Sequence, residues 1–156
     1  RAWVTNLTSG EAAAEDEGYV EIRWWRAPNN WTPAISSWFY GGEVRSAHFI
    51  SNGEGKKKAT WTVEIKEGAY YDVYTYIDGR SNPSLRRNDN DIPDKYHYTV
   101  YHDDGSEEVV IELKNAANGW NNLGSFYLSP GEAQVEITDR ADGRIVIADA
   151  IKWVKR

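Results

Sequence analysis

The chain has 156 residues, within the range of one domain, and a domain of that size buries roughly 68–70% of its unfolded surface without needing covalent staples. It has no cysteine, which excludes disulfides and thiolate metal sites, and its net charge of -6 with a pI near 5.1 argues against a nucleic-acid partner, which needs clustered Lys and Arg. No apolar run approaches the ~18 residues of a membrane span, and the mean hydropathy is -0.70.

Eight Trp and ten Tyr stand against three Phe. Rings with a polar edge suit wet interfaces, although most of them are expected in core and edge packing. There is no methionine and the chain opens at Arg1, so it reads as a piece excised from a larger protein.

In chain order, Glu11–Glu17 carries Ala12, Ala13 and Ala14 and supports at most one helical turn, because so short a run is marginal in water. Strands are expected at Gly18–Arg26, Glu43–Ile50, Ala59–Lys66, Tyr70–Asp78, Tyr96–His102, Glu107–Leu113, Leu123–Leu128, Glu132–Thr138 and Arg144–Val154. Turn signals separate them, among them Asn52-Gly53-Glu54-Gly55, Asp103-Asp104-Gly105, Pro130-Gly131 and Asp142-Gly143. Many short strands closely spaced are the pattern of a β-sandwich. Two long segments, Arg26–Gly42 with its tryptophans and Gly79–Lys95 with its arginines, are expected as irregular loops, which at such length are usually functional or mobile.

Catalytic signatures are missing. His48, His97 and His102 have no metal-binding spacing, and no nucleophile elbow or phosphate-cradling loop occurs. Paired acids such as Asp103-Asp104 and Glu107-Glu108 fall at turns, without the separated pKa values that glycoside hydrolysis requires. Asn88-Asp89-Asn90-Asp91 resembles the start of a calcium loop but lacks its Gly and distant Glu, so a structural calcium is the one cofactor left open and no metal ligand is assigned.

Alternation assigns faces. In Tyr71–Ile77, Tyr71, Val73, Thr75 and Ile77 take the core side, and Asp72, Tyr74 and Tyr76 look outward. In Tyr96–His102, Tyr98 and Val100 point inward, and His97, Thr99 and Tyr101 outward. Asp149 shares parity with Ile147, Ile151 and Trp153, which turns its carboxylate inward, and a buried carboxylate needs partners. It is expected to be a structural lock.

Three ordered motifs then stand out: Tyr98-Thr99-Val100-Tyr101-His102-Asp103-Asp104-Gly105, Gly119-Trp120-Asn121-Asn122-Leu123-Gly124-Ser125-Phe126-Tyr127 and Ala148-Asp149-Ala150-Ile151. With Ala59-Thr60-Trp61 and Gly68-Ala69-Tyr70-Tyr71-Asp72-Val73 upstream, the chain from Ala59 to Val154 resembles the golvesin and xanthan lyase C-terminal domain, a family described as carbohydrate-binding-like. The resemblance implies a jelly-roll-like antiparallel β-sandwich, here of about eight to nine strands, carried by secreted bacterial proteins that include polysaccharide-degrading enzymes. It implies no catalytic residues and an extracellular, cell-surface or periplasmic setting.

The expected function is therefore a non-catalytic carbohydrate-binding module that holds an attached enzyme near polysaccharide. The alternative is a docking domain that packs on a neighbouring domain of the same protein, since aromatics are also enriched at such interfaces. Tyr74 and Tyr76, about 7 Å apart along their strand, are the candidate ligand face. Tyr101 and His97 would extend it if the two strands share a sheet. Trp31, Trp38, Arg86 and Arg87 from the long loops are candidates for its rim, the arginines facing sugar carboxylates. Asp149, Trp61, Trp120 and Trp153 are assigned to the framework.

Overall fold

The computed structural model describes residues 2–5, 10–12, 28–42, 45–78 and 94–156. Among these the regular structure is β-strand apart from one 3-10 turn at Leu113–Asn115. In chain order the strands are β1 (Ala2–Thr5), β2 (Gly10–Ala12), β3 (Thr32–Ile35), β4 (Ser46–Ser51), β5 (Lys58–Ile65) and β6 (Ala69–Ile77). They continue with β7 (Lys95–His102), β8 (Gly105–Glu112), β9 (Gly119–Leu128), β10 (Gly131–Thr138), β11 (Ile145–Ala148) and β12 (Ala150–Lys155). The all-β antiparallel sandwich expected from the sequence is the observed class. The strand expected at Gly18–Arg26 lies outside the described residues, and Glu11 and Ala12, where a helical turn was open, pair as strand.

Two sheets form the sandwich, with orders β2-β1-β12-β6-β9 and β5-β10-β7-β8, and a third of order β11-β4-β3 adjoins them. Among the described strands all pairings are antiparallel except β1 along β12. The alternation in β5, β6, β7 and β10 leaves every second side chain buried. Val73, Phe126 and Trp153 from the five-stranded sheet meet Val63, Tyr98 and Val135 from the four-stranded one in a single core. Across that core the Thr75 hydroxyl donates to Tyr98 Oη at 2.9 Å, and burial pushes the Tyr98 phenol far up.

The C-terminal strand divides at Asp149. β11 pairs with β4, whereas β12 pairs with β6 and β1. Val146 and Ala148 face the main core, and so do Ile151 and Trp153, so the inward parity changes from even to odd at this residue. Ile145 and Ile147 instead close a smaller cluster with Ala34, Phe39, Ala47 and Phe49. The shared parity of Asp149 with Ile147, Ile151 and Trp153 is thus corrected: Asp149 is buried, but as the residue that moves the strand from one sheet to another.

Candidate functional site

The outer face of the five-stranded sheet gathers several of the rings that the core does not use. Tyr70, Asp72, Tyr74 and Tyr76 alternate with the buried residues of β6. Tyr76 lies opposite Trp120 of β9, and Tyr74 lies between Asn122 of β9 and Lys152 of β12. Tyr40, from the turn after β3, completes a triangle: Tyr40 and Tyr76 are 5.4 Å apart at 63°, Tyr40 and Trp120 are 5.2 Å apart, and Tyr76 and Trp120 are 5.2 Å apart at 79°. These edge-on contacts suit the ring quadrupoles and leave ring faces turned in different directions.

A one-residue bulge makes this face possible. Phe126 and Leu128 point into the core, and strict alternation back from them would send Trp120 there too. The register with β6 slips between Val73 and Tyr74, leaving Leu123 as the extra residue, so Leu123 is buried while Trp120 and Asn122 turn outward. Gly124 forms the slip at φ 132°, and the Phe126 ring would lie 2.8 Å from a Cβ placed there. The Gly124 N–H donates to Asn122 Oδ1 at 2.6 Å, which fixes the turn of the bulge.

Lys152 supplies the charge. Its Nζ lies 4.4 Å from the Trp120 ring centroid and 5.2 Å from that of Tyr74, a cation held over two π faces. Partial burial pulls its pKa below the ordinary lysine value. Asp149 supplies the anchor: its carboxylate accepts from the Tyr40 backbone N–H at 3.0 and 3.3 Å, and its carbonyl accepts from Trp61 Nε1 at 3.4 Å. Trp61 in turn stacks on Tyr98, with centroids 6.5 Å apart. The carboxylate assigned to the framework therefore holds a member of the outer aromatic cluster in place.

The remaining sequence candidates disperse. His97 and Tyr101 are outward on β7, in the other sheet, so the assumed adjacency with Tyr74 and Tyr76 is corrected: the two pairs lie on opposite faces of the sandwich. Alternation determines which side of a strand a residue takes and says nothing of which sheet holds the strand. His97 Nδ1 lies 3.2 Å from Glu108 Oε1, and the Tyr101 hydroxyl is raised by desolvation and by its hydrogen bond to Glu136. Trp31 packs against the main core, and its indole N–H is buried without an acceptor among the described residues. Trp38 is half-buried in the turn that carries Tyr40. Trp153 is fully buried. Arg86 and Arg87 lie outside the described residues, as does the Asn88–Asp91 run on which calcium was left open. Among the described residues no group of three or more His, Asp or Glu is placed to hold a metal.

Asp78, Asp94 and Asp139 are further buried carboxylates that the sequence reading missed, and the contacts of the last two are well defined. Asp94 Oδ1 accepts from the N–H of Lys95 at 2.9 Å and of Gly143 at 3.0 Å. Burial raises its pKa, with the backbone donors pulling the other way. Asp139 Oδ1 accepts from Gly55 N–H at 2.8 Å, pinning the turn before β5. The available signal was the glycines: a Cβ on Gly143 would lie 2.2 Å from Asp94 Oδ2, and one on Gly53 2.1 Å from Asp139 Oδ2.

Comparison with known proteins places this architecture. Residues 23–155 match the family of the Golvesin C-terminal domain, and the chain belongs to that family. Among solved structures, a Paenibacillus xanthan lyase superposes over 82% of this chain at a TM-score of 0.65 and 24% identity, a likeness of fold. The chain spans 11% of that enzyme's length. TmCBM61, solved in complex with beta-1,4-galactotriose, aligns over 81% of this chain and 82% of its own at a TM-score of 0.43 and 13% identity. No curated protein matches. No helix among the described residues is long and apolar enough to cross a membrane.

Proposed function

We propose that this domain binds polysaccharide on the outer face of its five-stranded sheet, performs no catalysis, and holds an attached extracellular enzyme against the polymer. The observation that carries the reading is the Tyr40, Tyr76 and Trp120 triangle with Tyr74 and Lys152 beside it. Sugar rings present apolar C–H faces and hydroxyl edges. Aromatic faces accept the former, while the Asn122 amide, the Lys152 ammonium and the tyrosine hydroxyls serve the latter. Membership of the Golvesin C-terminal domain family and the fold shared with part of a xanthan lyase support the same reading.

Native affinity electrophoresis through gels containing xanthan, β-1,4-galactan, a soluble cellulose derivative or polygalacturonate tests it. At least one polymer is expected to retard the domain, and Tyr74→Ala is expected to abolish most of that retardation without lowering the melting temperature. Free migration in every gel would sink the reading and leave the docking role in its place.

A further inference from the structure

The candidate face does not end at Tyr74. Four residues back along β6, Tyr70 is 57% exposed, and its register partner on β9, Tyr127, is 40% exposed. Their rings meet at 5.4 Å and 77°, and residues directly opposite in register share a face, the one that carries Tyr74 and Tyr76. From Tyr70 to Tyr76 is six residues, about 20 Å along the strand.

We infer that Tyr70 and Tyr127 form a second aromatic station of the same face, and that its occupant is an internal stretch of a linear polysaccharide lying along β6. This rests on the glycan-binding reading above. The space between the stations is polar: Asp72 pairs with Arg156 at 3.0 Å, and Ser125 lies opposite Asp72 on β9. Rings at both ends with hydrogen-bonding groups between them match a chain of sugars better than a protein partner, whose contact would bury an apolar centre under a polar rim. The station is also held in advance of any ligand. The Arg156 N–H donates to the Tyr70 carbonyl at 3.0 Å, the Asp103 N–H donates to the Tyr127 carbonyl at 3.3 Å, and Asp103 accepts from the Ser129 N–H at 2.8 Å. Gly68 makes room for the ring, since a Cβ there would lie 2.9 Å from Tyr127 Oη. Such pre-ordering lowers the entropy cost of binding. A span of that length accepts a short oligosaccharide and is only partly filled by a disaccharide.

Calorimetry with cello-, galacto- and galacturono-oligosaccharide ladders, from di- to hexasaccharide, tests the inference. In the ladder that binds, affinity is expected to rise at least about tenfold between the shortest and longest members, the size of one aromatic contact. Tyr70→Ala and Tyr127→Ala should each flatten that rise while leaving disaccharide affinity and the melting temperature near wild type. Tyr74→Ala should weaken every length. Length-independent binding that Tyr74→Ala abolishes, or hexasaccharide affinity untouched by Tyr70→Ala, would overturn the second station alone. No binding in any ladder, or binding that Tyr74→Ala leaves intact, would overturn the glycan reading and this inference together.

Discussion

The two outer faces of the sandwich are built by the same alternation and carry different chemistry. On the five-stranded sheet the outward positions hold Tyr70, Tyr74, Tyr76, Trp120 and Lys152. On the four-stranded sheet they hold polar groups that answer one another: Lys58 with Glu136 at 3.3 Å and Lys95 with Glu112 at 3.9 Å as ion pairs, and the His97 ring with Glu108 at 3.2 Å as a hydrogen bond. Exposed pairs of this kind contribute ~0–1 kcal/mol each and mainly keep a surface soluble. The contrast shows that a strand's alternation locates a surface, whereas the cross-strand neighbours decide what the surface can bind.

That contrast can be broken most forcefully at Asp149. Asp149→Asn is expected to cost about 1–3 kcal/mol, the scale for disturbing a buried hydrogen-bonded carboxylate, and also to weaken polysaccharide retention by loosening Tyr40. Thermal melts and affinity gels read the two effects separately, and a variant with wild-type melting and retention would remove the anchor role. A smaller effect is expected from Tyr74→Ala, about tenfold in affinity at unchanged stability, measured by calorimetry.

Asp94 sharpens the comparison from beneath the surface. Its folded pKa is raised above its ordinary value of 3.8, so the stability linked to it is fully present below that pH and is lost as pH rises through the folded value. Wild type should therefore gain stability relative to Asp94→Asn as pH falls from 7 toward 4. A constant difference across melts in that range would contradict the burial assigned to this carboxylate. The smallest effect belongs to the paired face: His97→Ala and Tyr101→Phe should leave polysaccharide retention unchanged, and a loss with either would move the binding surface to the other sheet.

Much of the sandwich was legible because its strands obey a period of two. Tyr71, Val73, Thr75 and Ile77 turned inward and Tyr74 and Tyr76 outward as their spacing requires. What the sequence hid were departures from that period. The inward set shifts by one at Asp149 and again at Leu123, and the second shift turns Trp120 from a framework residue into the centre of the aromatic cluster. The glycine of Asn122-Leu123-Gly124 was the visible trace of that bulge. Tyr40 was hidden differently, because its place on the face depends on a contact with Asp149, 109 residues away in sequence. Sheet membership was likewise unreadable: β6 and β7 look alike as strings, and only long-range pairing assigns them to opposite layers.

The bulge at Leu123 and Gly124 has a further consequence for how such a domain can diverge. Outward side chains of β6, β9 and β12 can be exchanged one at a time with little strain, so ligand preference can drift by substitution. The number of residues between Trp120 and Phe126 is instead tied to the bulge, because their even separation sends the two rings to opposite faces only while Leu123 stands as the extra residue. Removing one residue would make the separation odd, so that plain alternation alone keeps Trp120 outward and Phe126 inward, and what goes with the bulge is the additional buried side chain of Leu123. A bulged β9 and an unbulged one shorter by a residue can thus present the same outer ring over differently filled cores.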